Sequence, residues 1–460
     1  MNKKYLVLLL FSFVIITLLI LMSSNFLLNK TTKKLSVPLP HLTLRGYTLI
    51  ENQADGPNYL YSIVADPDYI YLAGSCFNCG LKKNLAWQIE KRRKGDGQLD
   101  SKFGKNGKII IDPTDYDDEA YAITIDSSSI YIAGIQGGKS GNANWRIEKR
   151  DKVTGAYDKN FGEGGYVISS PTVGDDYAFS IINDDAFIYI VGSQPHNGPL
   201  STHAWRIEKR DKVTGAYDKN FGEGGYIISN PINEDNEAYS IAADDSFIYI
   251  AGLEGGTGAD GKGFWRIEKR NKINGDYDSR FGQKGFILSD PTPFIDEARS
   301  LVVDDSFIYI CGYQSDNNFL GRNWAWRIEK RDKVTGAYDK NFGEGGYVIS
   351  DPTTNNDLAR SLYVDKDFIY IGGHQNGSDI PNQGDWAWRI EKRDKVTGAY
   401  DKNFGEGGSI VINPSEGDDF IYSIITDSSF VYFVGYQKGN KGNGNFWWRI
   451  EKRKKFDSQF

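Results

Sequence analysis

The chain has 460 residues but only three cysteines, four histidines, two methionines and 14 prolines. Three cysteines cannot staple a disulfide-dense scaffold, and histidines at 41, 196, 203 and 374 are too scattered for metal-ligand spacing. Basic residues are not in excess either, with 54 Lys and Arg against 61 Asp and Glu and a formal charge of −7. No basic field would draw a phosphate backbone, so nucleic acid is not an expected partner. GxSxG, HExxH and phosphate-loop signatures are missing, and no familiar catalytic set can be read from the sequence.

Long apolar runs are also scarce, and the first one bears on the compartment. Tyr5 to Met22 is an uninterrupted apolar or hydroxyl stretch, about 27 Å long as a helix, which nearly matches a bilayer core. Lys3 and Lys4 precede it, and Ser23, Ser24 and Asn25 are followed by apolar residues rather than by a small-residue cleavage site. The expectation is a signal anchor or transmembrane helix over 1–28 that tethers the chain to a membrane. Cleavage of that segment would give a secreted protein instead. Residues 29–43, with Pro38 and Pro40, read as a spacer, and 44–460 as the main domain, placed outside the cytoplasm.

What is abundant is repetition. WRIEKR begins at Trp145, Trp205, Trp265, Trp326, Trp388 and Trp448, and WQIEKR at Trp87. Each of the seven units also carries segments like AYSIAAD, FIYIAG and GYVIS, rich in β-branched and aromatic residues and bounded by Gly, Asp, Asn or Pro. Each unit therefore reads as four short strands, here A (AYSIAAD), B (FIYIAG), C (WRIEKR) and D (GYVIS). The last unit ends without a D strand, while Gly46 to Ile50 match the D pattern with no C strand before them. A ring closed by the N-terminal strand pairs both orphan edges, which an open β-solenoid would leave exposed. The expected fold is all-β, a seven-bladed β-propeller of four-stranded blades.

GAYDKNFGEGG followed by an A strand, a hairpin and a strand ending in Ala-Gly or Gly-Gly resembles the bacterial delta-60 repeat, a β-propeller family of mostly unassigned function. The Asp-x-x-Phe-Gly turn at Asp158 to Gly162 carries the likeness, while Asp245-Ser246-Phe247 stands where the family has an Asp-Gly hairpin. The resemblance spans about residues 46 to 460 and implies no catalytic residues.

Spacing within the repeat locates the variable surface. Strand C Trp to strand D Gly, and strand A centre to the Gly closing strand B, keep fixed intervals, whereas the B–C connection varies from 11 residues (Gly134 to Trp145) to 15 (Gly373 to Trp388). In an antiparallel meander the B–C and D–A loops share one face. EKRDKVTGAYDKNFGEGG occurs four times unchanged on the other face. Diverse loops on a rigid ring point to a binding or interaction module for a protein or glycan on the variable face. A glycan hydrolase or lyase working at the axis is the alternative, because propeller enzymes can carry sites that no local motif exposes.

Three constellations on that face are candidates. Asn58, Asp118, Asp176, Asn236, Asp296, Asp357 and Asp419 recur four residues before the strand A centre. Five carboxylates around an axis suit a hard cation such as calcium, and Asp or Asn at such places equally shapes turns. Just before the same centre, an aromatic in five blades gives way to Arg299 and Arg360 in the fifth and sixth. Trp324 and Trp386 stand two residues before the strand C Trp in those blades, and Trp447 flanks it in the seventh. Arginines beside indoles would hold an acidic or sugar-like ligand by charge-assisted bonds and stacking; packing and local ion pairs are the competing reading. Cys76 and Cys79 form a lone CxxC, best suited to a local disulfide. In WRIEKR, Trp and Ile fall on one side and Arg and Glu on the other, a pattern for stiffening the ring.

Overall fold

The computed structural model describes residues 46–456, apart from 52–55, 140–141, 197–201, 233, 257–261, 316–322, 377–384 and 440–443. Among the described residues 28 strands form seven four-stranded antiparallel sheets. Blade 1 runs Asn58–Ala65, Tyr69–Phe77, Leu85–Arg93 and Lys108–Ile111 as strands A to D, and the pattern repeats through blade 6. Blade 7 takes strands A to C from Phe420–Thr426, Phe430–Lys438 and Phe446–Lys454, and its fourth strand is Tyr47–Glu51 from the chain start. That strand pairs antiparallel with Phe446–Lys454 from Tyr47 opposite Lys452 to Glu51 opposite Trp448. The ring is closed as its orphan edges require.

The anchor segment 1–28 and the spacer lie outside the described residues. Among the described residues no helix is long and apolar enough to cross a membrane.

The core lies between blades rather than within them. Trp145 and Ile147 of blade 2 pack with Ala178, Ile181, Ile188 and Ile190 of blade 3, and each blade boundary repeats this cluster. Every strand C Trp is buried and its indole N–H donates to a strand B carbonyl of the next blade: Trp87 to Ile135 at 2.7 Å, and Trp448 across the closure to Ser75 at 3.1 Å. Losing one such side chain removes a large apolar area and that bond, about 3–5 kcal/mol for Trp→Ala.

The other side of strand C carries the ion pairs. Glu208 is fully buried and accepts from Arg206 at 2.6 Å, Arg210 at 2.7 Å and Ser169 of the preceding blade at 2.6 Å. Burial pushes its carboxyl up, but the two guanidiniums outweigh burial and hold it at about 2. The same geometry recurs at Glu268, Glu329 and Glu391, so WRIEKR uses both faces as its alternation implies.

Strand A slips by one residue against strand B at one place in every blade, between Leu60 and Ser62 in blade 1 and between Ile421 and Ser423 in blade 7. The extra residue belongs to a β-bulge, which re-aims its side chain. Opposite the bulge stands the Gly that closes strand B. A Cβ on Gly74 or Gly312 would overlap the carbonyl oxygen of Tyr59 or Glu297, which explains the fixed glycine spacing.

Candidate functional site at the propeller axis

The seven bulged residues are Tyr61, Tyr121, Phe179, Tyr239, Arg299, Arg360 and Tyr422. They meet from blade to blade. Ring centroids of Tyr61 lie 5.1 Å from those of Tyr121 and of Tyr422, Tyr121 is 5.8 Å from Phe179, and Phe179 is 5.5 Å from Tyr239. The guanidinium of Arg299 stacks 4.0 Å over Tyr239, and that of Arg360 lies 5.5 Å from Tyr422. Strands A are the innermost strands, so this half-buried ring lines the axis. The substitution of two aromatics by arginines thus places both cations on one sector of the axial wall.

A second layer sits two residues earlier on strand A, toward the variable face: Tyr59, Glu119, Tyr177, Glu237, Glu297, Leu358 and Phe420. Glu119 accepts from Tyr61 Oη at 2.5 Å and from Tyr121 Oη at 3.4 Å. Glu237 accepts from Tyr239 Oη, and Glu297 pairs with Arg299. Burial raises the Glu119 and Glu237 carboxyls above the ordinary carboxylate range. These three glutamates were not singled out from the sequence. Their signal was present, since they precede each bulged residue by one strand period, but only the bulge makes that period face the axis.

Arg299 and Arg360 differ in their partners. Burial works against the Arg299 charge, but Glu297 together with Tyr239, Tyr313 and Glu237 outweighs it and holds the guanidinium protonated. Arg360 has no carboxylate partner among the described residues, and its Nε makes no hydrogen bond there. Beside it His374 is 1% exposed with Nδ1 unbonded, and burial together with the Arg360 and Arg299 charges drives its pKa well down. Neutral His374 is wedged edge-on between Trp386 and Phe420, each 4.7 Å away.

Trp386 therefore joins the Arg360 sector through His374, and Trp324 joins the Arg299 sector through Tyr313, at 5.0 Å. Tyr313 and His374 follow the strand B glycine and face strand A at Glu297 and Leu358. Trp447 is not brought in: it stands opposite Gln437, and strand alternation turns it to the face away from Trp448.

The aspartate ring has another environment. Asp118, Asp176, Asp296, Asp357 and Asp419 are fully buried in separate blades. Each accepts from the Thr or Ser four residues earlier, as Asp296 does from Thr292 Oγ1 at 2.9 Å. Asp118, Asp296 and Asp419 also accept a backbone N–H at the root of the B–C loop, from Gly137, Ser315 and Lys438. They staple the D–A loop to the B–C loop. Burial outweighs these bonds and pushes all five carboxyls up to about 7. Among the described residues no three His, Cys, Asp or Glu side chains gather in a metal-ligating group. Cys76 and Cys79 are paired at the end of strand B of blade 1, with Cα atoms 5.8 Å apart. Cys311 is buried in the core with Trp326.

A cavity of about 580 Å³ lies away from the axis between blades 1 and 2. Of its three lining cations, Arg150 is paired with Glu148 and Lys108 with Glu51 and Glu90, and the third is Lys105.

The sequence matches no known family and no curated protein. Solved structures with a similar fold include a polysaccharide lyase, Uly1, at 11% identity over 88% of this chain and 91% of that one, with a TM-score of 0.48. Semaphorin 2a of Drosophila follows at 10% identity, 92% and 76% coverage and a TM-score of 0.46. The phage phi92 endosialidase has 10% identity, 90% and 70% coverage and a TM-score of 0.43. At these identities the likeness is one of architecture.

Proposed function

We propose that the protein is a membrane-tethered, extracytoplasmic binding module that receives an acidic, ring-bearing ligand such as an acidic glycan at the axial mouth on its variable face. The supporting observation is Arg360: a half-buried cation without a carboxylate partner among the described residues, beside Tyr422 and the stack of His374, Trp386 and Phe420. A ligand carboxylate would satisfy the guanidinium through charge-assisted bonds, while a sugar face would lie on the rings. Titration of the full chain with uronate oligosaccharides and their neutral counterparts tests this. Preference for the acidic series, lost in Arg360→Gln, is the expected result, and equal affinity for both series would refute it.

A second reading is glycan cleavage, favoured by Glu119 and Glu237, whose carboxyls burial raises at the same mouth next to tyrosines. Carboxyls raised in this way are suited to proton transfer. Appearance of shortened chains on incubation with the same oligosaccharides, abolished by Glu119→Gln or Glu237→Gln, would establish it; intact ligand at equilibrium would leave binding alone.

A further inference from the structure

Among the described residues the axial mouth has two ionisable groups without an oppositely charged partner, Glu119 and Arg360, and they stand on opposite walls. Among its carboxylates, Glu297 is neutralised by Arg299, and Glu237 lies within the influence of the same guanidinium. Glu119 has no cationic partner among the described residues; its bonds come from the phenols of Tyr61 and Tyr121, and Asp117 adds further negative charge nearby. Arg360 is the converse, a cation facing tyrosine, histidine and aliphatic neighbours. Glu119 belongs to blade 2 and Arg360 to blade 6, three blades apart one way and four the other, the widest separation a seven-membered ring allows. Between them the wall is aromatic on one side, through Tyr61 and Tyr422, and holds the internally paired Arg299 on the other.

We propose that the axial mouth is a bipolar site for a zwitterionic sugar, one that carries both a carboxylate and a free amine, with the carboxylate against Arg360 and the ammonium against Glu119. The inference rests on the reading of the axial mouth as an acidic-ligand site and adds the second pole and the direction of binding. Two arguments support it beyond charge. His374 presents an almost wholly buried ring nitrogen beside the Arg360 pole that has no hydrogen-bond partner among the described residues. At the other pole the Glu119 carboxyl is held up by burial, so an arriving ammonium relieves an existing cost rather than competing with a protein cation. A purely acidic ligand would satisfy one wall and leave Glu119 facing a carboxylate-bearing molecule without compensation.

The test compares three probes on the full chain by calorimetry: 2-amino-2-deoxyglucuronic acid, its N-acetyl derivative, and glucosamine. The zwitterion is expected to bind about tenfold more tightly than the N-acetylated acid, a difference of about 1.4 kcal/mol. Glu119→Gln should erase that preference by weakening the zwitterion relative to the N-acetylated acid, and Arg360→Gln should weaken both acids. The wild-type ratio alone is decisive if a variant fails to fold. Equal affinity of the two acids, or a preference that survives Glu119→Gln, overturns the bipolar site while leaving the acidic-ligand reading intact. Failure of both acids to bind overturns the acidic-ligand reading and the inference with it.

Discussion

Lys94 of blade 1 reaches across the ring closure to Asp427 of blade 7, with Nζ 3.0 Å from Oδ2. The contact is one of seven. Lys152 meets Asp66, Lys212 meets Asp126, Lys272 meets Asp184, Lys333 meets Asp244, Lys395 meets Asp304 and Lys455 meets Asp365, each from the residues just after strand C of one blade to the A–B turn of the blade before. Where the inner cores seal adjacent blades, this belt ties them on the monotonous face.

The belt predicts unequal effects for its two partners. Lys94→Ala should cost about 1 kcal/mol, with the loss shrinking at high salt, because it removes one partly exposed ion pair. Asp427→Ala should cost about 2 kcal/mol, since Asp427 also accepts from the Ser429 and Phe430 amides and from Tyr432 Oη. Urea denaturation midpoints at low and high salt measure both. Equal losses for the two variants would contradict this division.

Closure by the first strand predicts a larger effect. Deleting residues 46–51 strips the partner of Phe446–Lys454, removes the Thr48 hydroxyl that bonds Glu451 at 2.9 Å, and frees a sheet edge for association. Stability should fall by about 3–5 kcal/mol, and the shortened protein should self-associate in size-exclusion chromatography. A monomer with the parent midpoint would show that the strand is dispensable.

The ring was legible because WRIEKR alternates Trp and Ile against Arg and Glu, a period of two that a strand converts directly into two faces. Closure was legible because Tyr47 to Ile50 had a strand D pattern with no strand C before it. Arg299 and Arg360 could be picked out as exceptions in an aromatic column. The rest depended on relations that a sequence does not print. Glu119 becomes an axial carboxyl only through the bulge at Tyr121; Tyr313 and His374 become the links to Trp324 and Trp386 only through cross-strand pairing; and Lys94 with Asp427 is a contact between two turns of ordinary loop composition. Trp447 stands one residue, not two, before the strand C Trp, and strand alternation separates it from Trp324 and Trp386.

Two sets of buried carboxyls predict opposing pH trends. The Glu208, Glu268 and Glu329 carboxyls are held at about 2, so their stabilisation is complete above the ordinary glutamate range and is lost as pH falls from about 4.5 toward 2. The five ring aspartates are raised to about 7, so their contribution is complete below the ordinary aspartate range near 4 and is lost as pH rises through 7. Stability should therefore be greatest near pH 4–5 and decline from there to pH 8. Blades 1 and 4 already use neutral Asn58 and Asn236 at this position. Converting all five aspartates to Asn should flatten the decline between pH 5 and 8 in thermal melts; an unchanged slope would remove the aspartates as its cause.

The two axial arginines predict a separation of stability from binding. Arg299→Gln leaves Glu297, 8% exposed, as a buried carboxylate without its cation between Tyr239 and Tyr313, and should cost about 3 kcal/mol. Arg360→Gln breaks no ion pair among the described residues and leaves only a weaker contact with Tyr422, so its cost should stay below about 1 kcal/mol. Binding should show the reverse order: Arg360→Gln removes the cation still free to meet a ligand anion, whereas Arg299 is already engaged by Glu297. Denaturation midpoints and titrations with a uronate oligosaccharide, run on both variants, resolve the two effects. Comparable destabilisation by both substitutions would mean that Arg360, like Arg299, serves the fold.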